Sequence, residues 1–523
     1  MNGYLAIVLH SHLPYVRHPE YNDFLEEDWL YEAITETYLP LLDAFDRMLN
    51  DNIKFHITIS LTPTLMEMLK DELLMKRYKH HLSKLIELSE KEIIRTQKDP
   101  DFNQLARMYY DRFKHYMDVF EKRYRGDIVS GFKEFIDAGA VDVLASCATH
   151  AYLPLIIDDP WKDNQIRIGV DTYKHWFGLK PSGFWLPENA YIEGVDSLLA
   201  KSGIGYTFLD AHGLLNASIQ PVYGVYAPIC AETGVCFFGR DHQSAKQVWS
   251  AKEGYPGDND YREFYRDVGY DLDFDYIKPY LHSDGSRSNL GIKYYRITGP
   301  TDQKEPYNPE WASKKTEIHA GNFVFNREKH IEYLSSIMDR KPIIVSTYDA
   351  ELFGHWWFEG PEFLEHVFRK LHAINDRVKS ISPPIYLKEY TENQIAQPAQ
   401  SSWGDKGYHE VWLNGTNDWI YKHLHMAQDR MKTLIRIKKA SPVKHRAINQ
   451  ALRELLLVQS SDWPFIMNSG TNVNYAKKRF ISHISRFTYL YEQITNNSID
   501  PEFLNETESK DNIFNWLDYT NYE

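Results

Sequence analysis

The chain of 523 residues has few cysteines, no long apolar run and no excess of basic residues. Its three cysteines, Cys147, Cys230 and Cys236, are too few and too irregularly spaced for a disulfide framework or a zinc site. We therefore expect buried free thiols in a reducing compartment. The 59 Lys and Arg against 73 Asp and Glu argue against a nucleic-acid partner, because contacts with phosphates need a basic face.

Signals for membrane insertion or export are also lacking. No stretch approaches the ~18 consecutive apolar residues that a membrane-spanning helix needs. The first apolar run, Tyr4–Leu9, ends at His10 and has no basic segment before it, which a secretion signal would require. We expect a cytoplasmic protein without a membrane partner.

Short apolar runs alternate with amphipathic segments through about the first 380 residues, a pattern typical of βα units. The predicted strands are Tyr4–Leu9, Phe55–Leu61, Val141–Ser146, Gly183–Leu186, Gly203–Leu209, Val235–Phe238 and Pro342–Thr347. Their number favours an α/β fold with a TIM-type barrel or an incomplete relative of it. A doubly wound open sheet is the competing architecture, but no glycine-rich phosphate-binding turn follows the first strand.

Two regions depart from this alternation. Residues 70–139 read as long, charged, amphipathic helices, which predicts a helical insertion after the second strand. After Gln397 the strand pattern stops, and apolar residues recur at helical spacing in 417–440, 441–460 and 475–494. We expect a catalytic barrel domain over residues 1–396, which includes the insertion, and a helical C-terminal domain over 397–523.

Polar clusters follow four predicted strands, where barrel enzymes carry their active sites. In His10-Ser11-His12, residues two apart in an extended chain point to the same side, which predicts either a metal pair or hydrogen bonds to sugar hydroxyls. The second cluster, residues 147–154, contains His150. In the third, residues 183–191, burying Glu188 near Trp and Pro is costly unless the carboxylate is hydrogen-bonded or used.

The fourth cluster, residues 346–360, is the densest and contains Asp349, Glu351 and His355. Carboxylates on two separate strands can form the pair of a retaining glycosidase, whose members lie about 5 Å apart. Aromatic surroundings raise the pKa of a carboxyl by desolvation, as a general acid requires. An acidic pair beside histidines can equally bind a metal. The 13 Trp and 36 Tyr suit a flat, hydroxylated ligand or a large aromatic core.

With a fifth match at Ala399–Gly404, these clusters resemble the short sequence regions of glycoside hydrolase family 57, in the family's order. Within that family they look like the α-glucan branching enzymes. The resemblance implies an incomplete (β/α)7 barrel, a helical insertion and a helical C-terminal domain. It also implies retaining cleavage of an α-1,4 bond and transfer to a glucan 6-hydroxyl, with no metal or other cofactor.

Matched by position, Glu188 corresponds to the nucleophile and Asp349 to the general acid/base. The expected substrate-binding residues are His10, His12, Trp29, His150, Arg262, Arg266, His355, Trp403, Trp412 and Asp462. Among these, the two arginines have the loosest match, because the loop around them varies in the family. Asn189 and Thr471 depart from residues that relatives carry, Cys and Gln, which leaves fine specificity open.

Several other functions remain compatible with the same residues. Amylases and 4-α-glucanotransferases of the family share these motifs, which indicate the bond broken better than the acceptor used. A metal-dependent deacetylase or hydrolase would use His10, His12 and Asp349 as ligands. In a non-catalytic glucan-binding protein, Glu188 would take part in no reaction.

Overall fold

The computed structural model describes residues 2–250 and 252–522. Its strands are β1 Gly3–Ser11, β2 Ile57–Leu61, β3 Val141–Ser146, β4 Phe184–Trp185, β5 Tyr206–Leu209, β6 Ile229–Cys230, β7 Cys236–Gly239, β8 Ile343–Asp349, β9 Val378–Ser380 and β10 Gln394–Ile395. The main sheet has the order β4-β3-β2-β1-β8, and its neighbours are parallel. Strand β9 pairs in parallel with the start of β1.

The sheet curls into an incomplete barrel. A bridge between Gly183 and Tyr206 connects β4 to β5, and β5 pairs in parallel with β7. Between β7 and β8 the Asp241 N–H donates a hydrogen bond to the Val345 carbonyl (2.8 Å). Strands β1, β2, β3, β4, β5, β7 and β8 therefore surround one core. The predicted fold, an α/β incomplete TIM-type (β/α)7 barrel with further helices, is confirmed.

Helices cover the outside of the barrel and form the C-terminal part of the chain. They are α1 Asp28–Ala33, α2 Leu39–Asn50, α3 Pro63–Leu69, α4 Glu72–Arg95, α5 Pro100–Asp118, α6 Ile128–Asp137, α7 Asp159–Phe177, α8 Val195–Lys201, α9 Ala211–Leu215, α10 His242–Trp249, α11 Val268–Asp271, α12 Phe274–Ile277, α13 Pro309–Ile337, α14 Gly360–Ala373, α15 Pro383–Glu389, α16 Trp419–Ile435, α17 Pro442–Val458, α18 Asp462–Ser469, α19 Val473–Thr495 and α20 Pro501–Lys510. Helices α4 to α6 occupy the region between β2 and β3, and α16 to α20 follow β10. The domain limit at residues 396 and 397 stays a prediction.

The prediction of three free thiols is wrong for two of them. Cys230 on β6 lies opposite Cys236 on the antiparallel strand β7, and the two form a disulfide. Strand pairing brings them together, which their spacing in the sequence does not reveal. Cys147 is a free, buried thiol. Across 2–250 and 252–522, no helix is long and apolar enough to cross a membrane.

Candidate active site

The carboxyl ends of the barrel strands open into a cleft of about 1070 Å³. Both predicted catalytic carboxylates, Glu188 and Asp349, line this cleft. So do most of the predicted substrate-binding residues: His10, His12, Trp29, His150, His355, Trp403, Trp412 and Asp462. The structure thus brings residues from both ends of the chain to one place.

The alternation of side chains along β1 explains how its histidines reach the cleft. Tyr4, Ala6 and Val8 belong to the apolar cluster inside the barrel, while the residues between them pack in the cluster that includes the outer helices. Because side chains alternate along a strand, His10 continues the inward row at its carboxyl end. His12, two residues further on, lines the same cleft.

Three imidazoles form a cluster with two electrostatic characters. His10 Nε2 and His150 Nε2 lie at hydrogen-bonding distance (3.0 Å). Burial lowers the pKa of both groups, and the neighbouring His12 lowers it further. Burial also opposes the charge on His12, but the Asp462 carboxylate, 3.0 Å from its Nε2, and two glutamates outweigh burial and raise its pKa. The cluster therefore combines two neutral imidazoles with a more basic one.

Glu188 follows β4 in a backbone conformation that its surroundings must hold. Its φ is 61° and that of Asn189 is 49°, both in the left-handed region that residues with a Cβ rarely adopt. Such a residue costs about 1–3 kcal/mol and persists where the surrounding structure fixes it. Here the backbone N–H of Trp403 donates a hydrogen bond to the Glu188 carbonyl (3.0 Å). The strained turn presents the Glu188 side chain to the cleft.

Two side-chain donors hold the Glu188 carboxyl. The Trp403 indole N–H donates to Oε2 (2.8 Å), and the Ser461 hydroxyl donates to Oε1 (2.9 Å). Burial raises the pKa of Glu188 to about 7, because it outweighs these hydrogen bonds, which favour the charged form. The carboxylate is thereby fixed in one orientation, as a nucleophile requires.

Asp349 is the last residue of β8 and lies beside His10 in the register of β1 and β8. Its side chain is open to the cleft, yet enough protein surrounds it that burial raises its pKa to about 6, against the charges of Arg240 and His12. Substrate that displaced the remaining water would raise this pKa further. A carboxyl with a raised pKa keeps its proton to a higher pH than an ordinary aspartate does, as a general acid requires.

Arg240 and Ser461 are not among the site residues predicted from the sequence, and Glu351 has no predicted role. Arg240 directly follows β7 and lines the cleft, with its guanidinium over the Trp403 ring (5.8 Å). The segment Gly239-Arg240-Asp241 is a polar cluster at a strand end, the signal that identified the other four clusters. Burial raises the pKa of Glu351 to about 7, although it accepts a hydrogen bond from the Tyr38 hydroxyl (2.5 Å).

The structure does not bring Arg262 or Arg266 to the lining of the cleft, and their role in substrate binding stays a prediction. Arg262 is buried and forms an ion pair with Glu36 (3.0 Å), whose other oxygen accepts from His355 Nδ1 (3.2 Å). Arg266 pairs with Asp271 (2.8 Å). Both guanidinium groups satisfy carboxylates within the protein.

The predicted tryptophan platforms differ in exposure. Trp403 and Trp29 are half-buried, and both border the cleft. Trp412 is 1% exposed and stacks on Tyr152 (ring centroids 4.3 Å apart, 18° between planes). A Cβ at Gly404 would lie 2.6 Å from the Trp412 ring, so this indole supports the loop after Trp403. The geometry gives Trp403 a larger surface for a sugar than Trp412.

One group of side chains in the cleft could hold a metal ion, but its atoms already have partners. Ligand atoms of His12, His150 and Asp462 lie within 4.8 Å of one another. His12 is hydrogen-bonded through Nδ1 to Thr62 (3.0 Å) and through Nε2 to Asp462. His150 is bonded through Nδ1 to Ser461 (2.8 Å) and through Nε2 to His10. This set is not the set expected for a deacetylase, because His150 and Asp462 replace His10 and Asp349.

Two carboxyls that face one cleft at the ends of barrel strands, beside indole and imidazole donors, define an enzyme that cleaves glycosidic bonds. The family model described as glycosyl hydrolase family 57 matches residues 6–398. The chain belongs to this family. A second model, described as 1,4-alpha-glucan branching enzyme, C-terminal, matches residues 423–522.

The names of similar proteins state two different activities. A 1,4-alpha-glucan branching enzyme of Thermococcus kodakarensis is 34% identical, over 98% of this chain and 78% of its own length. The structure of the alpha-amylase AmyC of Thermotoga maritima is 44% identical and superposes with a TM-score of 0.93, covering 99% of both chains. The branching enzyme of Pyrococcus horikoshii is 32% identical, with a TM-score of 0.89 and coverage of 99% and 96%.

Proposed function

We propose that this protein is a retaining 1,4-α-glucan branching enzyme. One observation carries the proposal: Glu188, held by two hydrogen bonds, and Asp349, open to the cleft, face the same space. The match of residues 423–522 to the C-terminal model of branching enzymes supports the transferase activity. The proposed partner is an α-glucan such as amylose or a glycogen-like polymer, with no nucleic acid and no cofactor.

In the first step Glu188 attacks C1 of a glucose unit in an α-1,4-linked chain. Asp349 gives its proton to the glycosidic oxygen, so the C1–O bond breaks and the reducing-end part of the chain leaves with a free 4-hydroxyl. The product is a glycosyl ester between C1 and the Glu188 carboxylate, with inverted configuration.

In the second step the 6-hydroxyl of another glucan unit attacks the same carbon. Asp349, now ionised, takes the hydroxyl proton, and the ester bond to Glu188 breaks. The second inversion restores the α configuration, so the new bond is α-1,6. His10 and His150, two neutral imidazoles hydrogen-bonded to each other, line the cleft beside the sugar bound at C1.

Hydrolysis by an α-amylase is the second candidate, which the 44% identity with AmyC favours. The two activities share the first step and differ in whether water or a 6-hydroxyl attacks the ester. Product analysis on amylose decides between them. We expect new α-1,6 linkages to outnumber new reducing ends, and a product that consists mainly of new reducing ends would replace the branching proposal with the amylase.

The catalytic mechanism uses no metal, so prolonged dialysis against EDTA should leave the activity unchanged. The measurement is the rate on amylose before and after dialysis, with metal analysis of the same protein samples. Loss of activity that a transition metal restores would favour the metal-dependent alternative, for which the sequence predicts His10, His12 and Asp349 as ligands and the structure groups His12, His150 and Asp462.

We also propose a cytoplasmic location. The buried free thiol of Cys147 is compatible with this location, whereas the Cys230–Cys236 disulfide is unusual for a reducing compartment. Thiol alkylation in rapidly quenched cells, followed by mass measurement of the denatured protein, tests the proposal. In a reducing compartment we expect all three cysteines to be alkylated in part of the population. A fully oxidised pair in every molecule would oppose a cytoplasmic location.

A further inference from the structure

Three tryptophans of the described chain have large exposed indoles: Trp249 (65%), Trp311 (52%) and Trp356 (56%). Trp249 and Trp356 line the cleft, whereas Trp311 lies on α13, away from it. Two exposed indoles in the wall of one cleft provide apolar surface for a ligand there, whereas a single exposed indole such as that of Trp311 is ordinary. Neither Trp249 nor Trp356 is among the site residues predicted from the sequence.

The segment around Trp356 holds its indole in a fixed position. Gly354 has φ of 119°, and a Cβ there would lie 1.7 Å from the Glu36 carbonyl oxygen, so the chain turns tightly against that residue. Trp357 is buried and anchors the segment in the core. The Trp356 ring stacks on Phe264 (4.5 Å between centroids, 22° between planes). That stack covers one face of the indole and leaves the exposed surface on the other.

Trp249 is the last residue of α10, which packs on the strand that ends in Asp349. The Ser346 hydroxyl donates to Ser244 Oγ (2.7 Å), and the Tyr348 hydroxyl donates to the Ser244 carbonyl (3.0 Å). Both Ser346 and Tyr348 belong to β8, and Ser244 belongs to α10. Trp249 and Trp356 are therefore both positioned by elements that also position the acid/base.

The chemistry of the reaction gives the two sides of the cleft different ligands. The sugar that becomes bonded to Glu188 lies among Trp403 and the histidines. Asp349 must reach the glycosidic oxygen of the leaving chain and later the 6-hydroxyl of the acceptor, so both of those bind on its side. The C–H faces of glucose rings stack on flat aromatic surfaces, and their hydroxyls need no charged partner.

We propose that Trp356 and Trp249 form the platform that binds the acceptor glucan chain. This inference rests on the transferase activity proposed above. The platform holds the acceptor so that its 6-hydroxyl reaches Asp349 before water does, which converts an encounter in solution into a positioned reaction.

The first test measures chain binding without turnover. In a Glu188→Gln background, Trp356→Ala and Trp249→Ala should each weaken binding of a long malto-oligosaccharide several-fold, measured by calorimetry and by retardation in amylose-containing gels. Trp356→Phe, which keeps an aromatic ring, should retain most of the binding. Trp311→Ala is the matched control and should bind as the background does. Equal binding in all four variants would overturn the proposal.

The second test separates the acceptor side from the donor side. With 4-nitrophenyl α-maltohexaoside as donor and added malto-oligosaccharide as acceptor, Trp356→Ala and Trp249→Ala should raise the half-saturating acceptor concentration several-fold. This increase should exceed any fall in nitrophenol release without acceptor. A fall in nitrophenol release with unchanged acceptor saturation would place the indoles on the donor side and overturn the assignment. If the unmodified enzyme makes no α-1,6 bonds, the branching proposal fails, and the binding test still decides whether the platform exists.

Discussion

At the residue scale, Glu188 and Asp349 contribute charge and proton transfer and little volume. Glu188→Gln and Asp349→Asn should therefore each lower turnover on amylose by several orders of magnitude, while the circular dichroism spectrum and the melting temperature change little. The assay counts products released per enzyme molecule. Near-normal turnover in either variant would end the assignment, and intact properties in Glu188→Gln would favour a non-catalytic glucan-binding protein.

A smaller side chain at position 188 tests the nucleophile directly. In Glu188→Ala, external azide should enter the vacated space and attack C1, because the deleted carboxylate no longer occupies it. The expected product is a glycosyl azide, detected by mass spectrometry. Asp349→Ala is the control. In that variant azide should take the place of the acid/base and not of the nucleophile, so the anomeric configuration of the azide product should differ between the two variants.

The pKa values of about 7 for Glu188 and about 6 for Asp349 predict a bell-shaped pH profile of kcat/KM. The active form has Glu188 ionised and Asp349 protonated, and because the pKa of Glu188 is the higher one, this is the less populated of the two singly protonated forms. Activity falls below about pH 6, where both carboxyls are protonated, and above about pH 7, where both are ionised. The maximum should lie between these values. With an aryl glycoside that needs no acid, Asp349→Asn should lose the alkaline limb, and a retained alkaline limb would contradict the assignment.

The positions of His10 and His12 follow from the sequence because a strand alternates its side chains with a fixed period. The environment of Arg262 does not follow, because its guanidinium pairs with Glu36, 226 residues away along the chain. Only the folded loop brings those charges together. Local periodicity is therefore predictable, whereas the partner of a long charged side chain in an irregular loop is not.

At the element scale, the turn between α17 and α18 contributes several groups to the site. Ser461 donates to Glu188, and Asp462 binds His12. The start of α17 was predictable, since Ser441 caps it and Pro442 occupies its first position. The short helix α18 has Ser461 at its N-cap position, but this hydroxyl donates to Glu188 and does not cap the helix, and that role was missed. The function of a polar residue in a turn depends on what the fold places opposite it.

Ser461→Ala should reveal the contribution of that turn. Removing a hydrogen bond to a charged carboxylate costs about 1.5–3 kcal/mol, so kcat/KM should fall roughly 10- to 100-fold. Since the lost bond favours ionised Glu188, the pKa of Glu188 should rise, and the alkaline limb of the pH profile, which the higher of the two pKa values sets, should move to higher pH. Ser469→Ala on the same helix, where the hydroxyl donates to the Ile466 carbonyl (3.1 Å), is the control. Equal profiles for both variants would show that Ser461 does not affect the nucleophile.

At the scale of the whole molecule, seven apolar runs were enough to predict a barrel, because buried parallel strands read as continuous hydrophobic segments. The link between β7 and β8 was not predictable, since it is a backbone hydrogen bond between Asp241 and Val345 that no side-chain pattern marks. Strands of two or three residues, such as β6, β9 and β10, carry too few side chains for a pattern. The cleft likewise needs both parts of the chain, because the C-terminal helices contribute Asp462 and Phe465 to its walls.

The whole cleft acts to exclude water from the reaction, and substitution of Trp403 tests this property. After the glycosyl ester forms, water and a glucan 6-hydroxyl compete for C1, and transfer dominates only where the acceptor is held and water is displaced. Trp403→Ala removes a wall of the cleft as well as the N–H that binds Glu188, so the ratio of new α-1,6 linkages to new reducing ends should fall several-fold.

Trp403→Phe separates the two contributions of this indole. It keeps an aromatic wall but loses the hydrogen bond to Glu188 Oε2 (2.8 Å), so its rate should fall while its product ratio stays near that of the unmodified enzyme. Trp412→Ala should also lower the ratio, through the loop that the buried Trp412 ring supports at Gly404. The measurement is linkage analysis of amylose products together with a reducing-end assay. An unchanged ratio in Trp403→Ala would mean that water is excluded by other parts of the cleft.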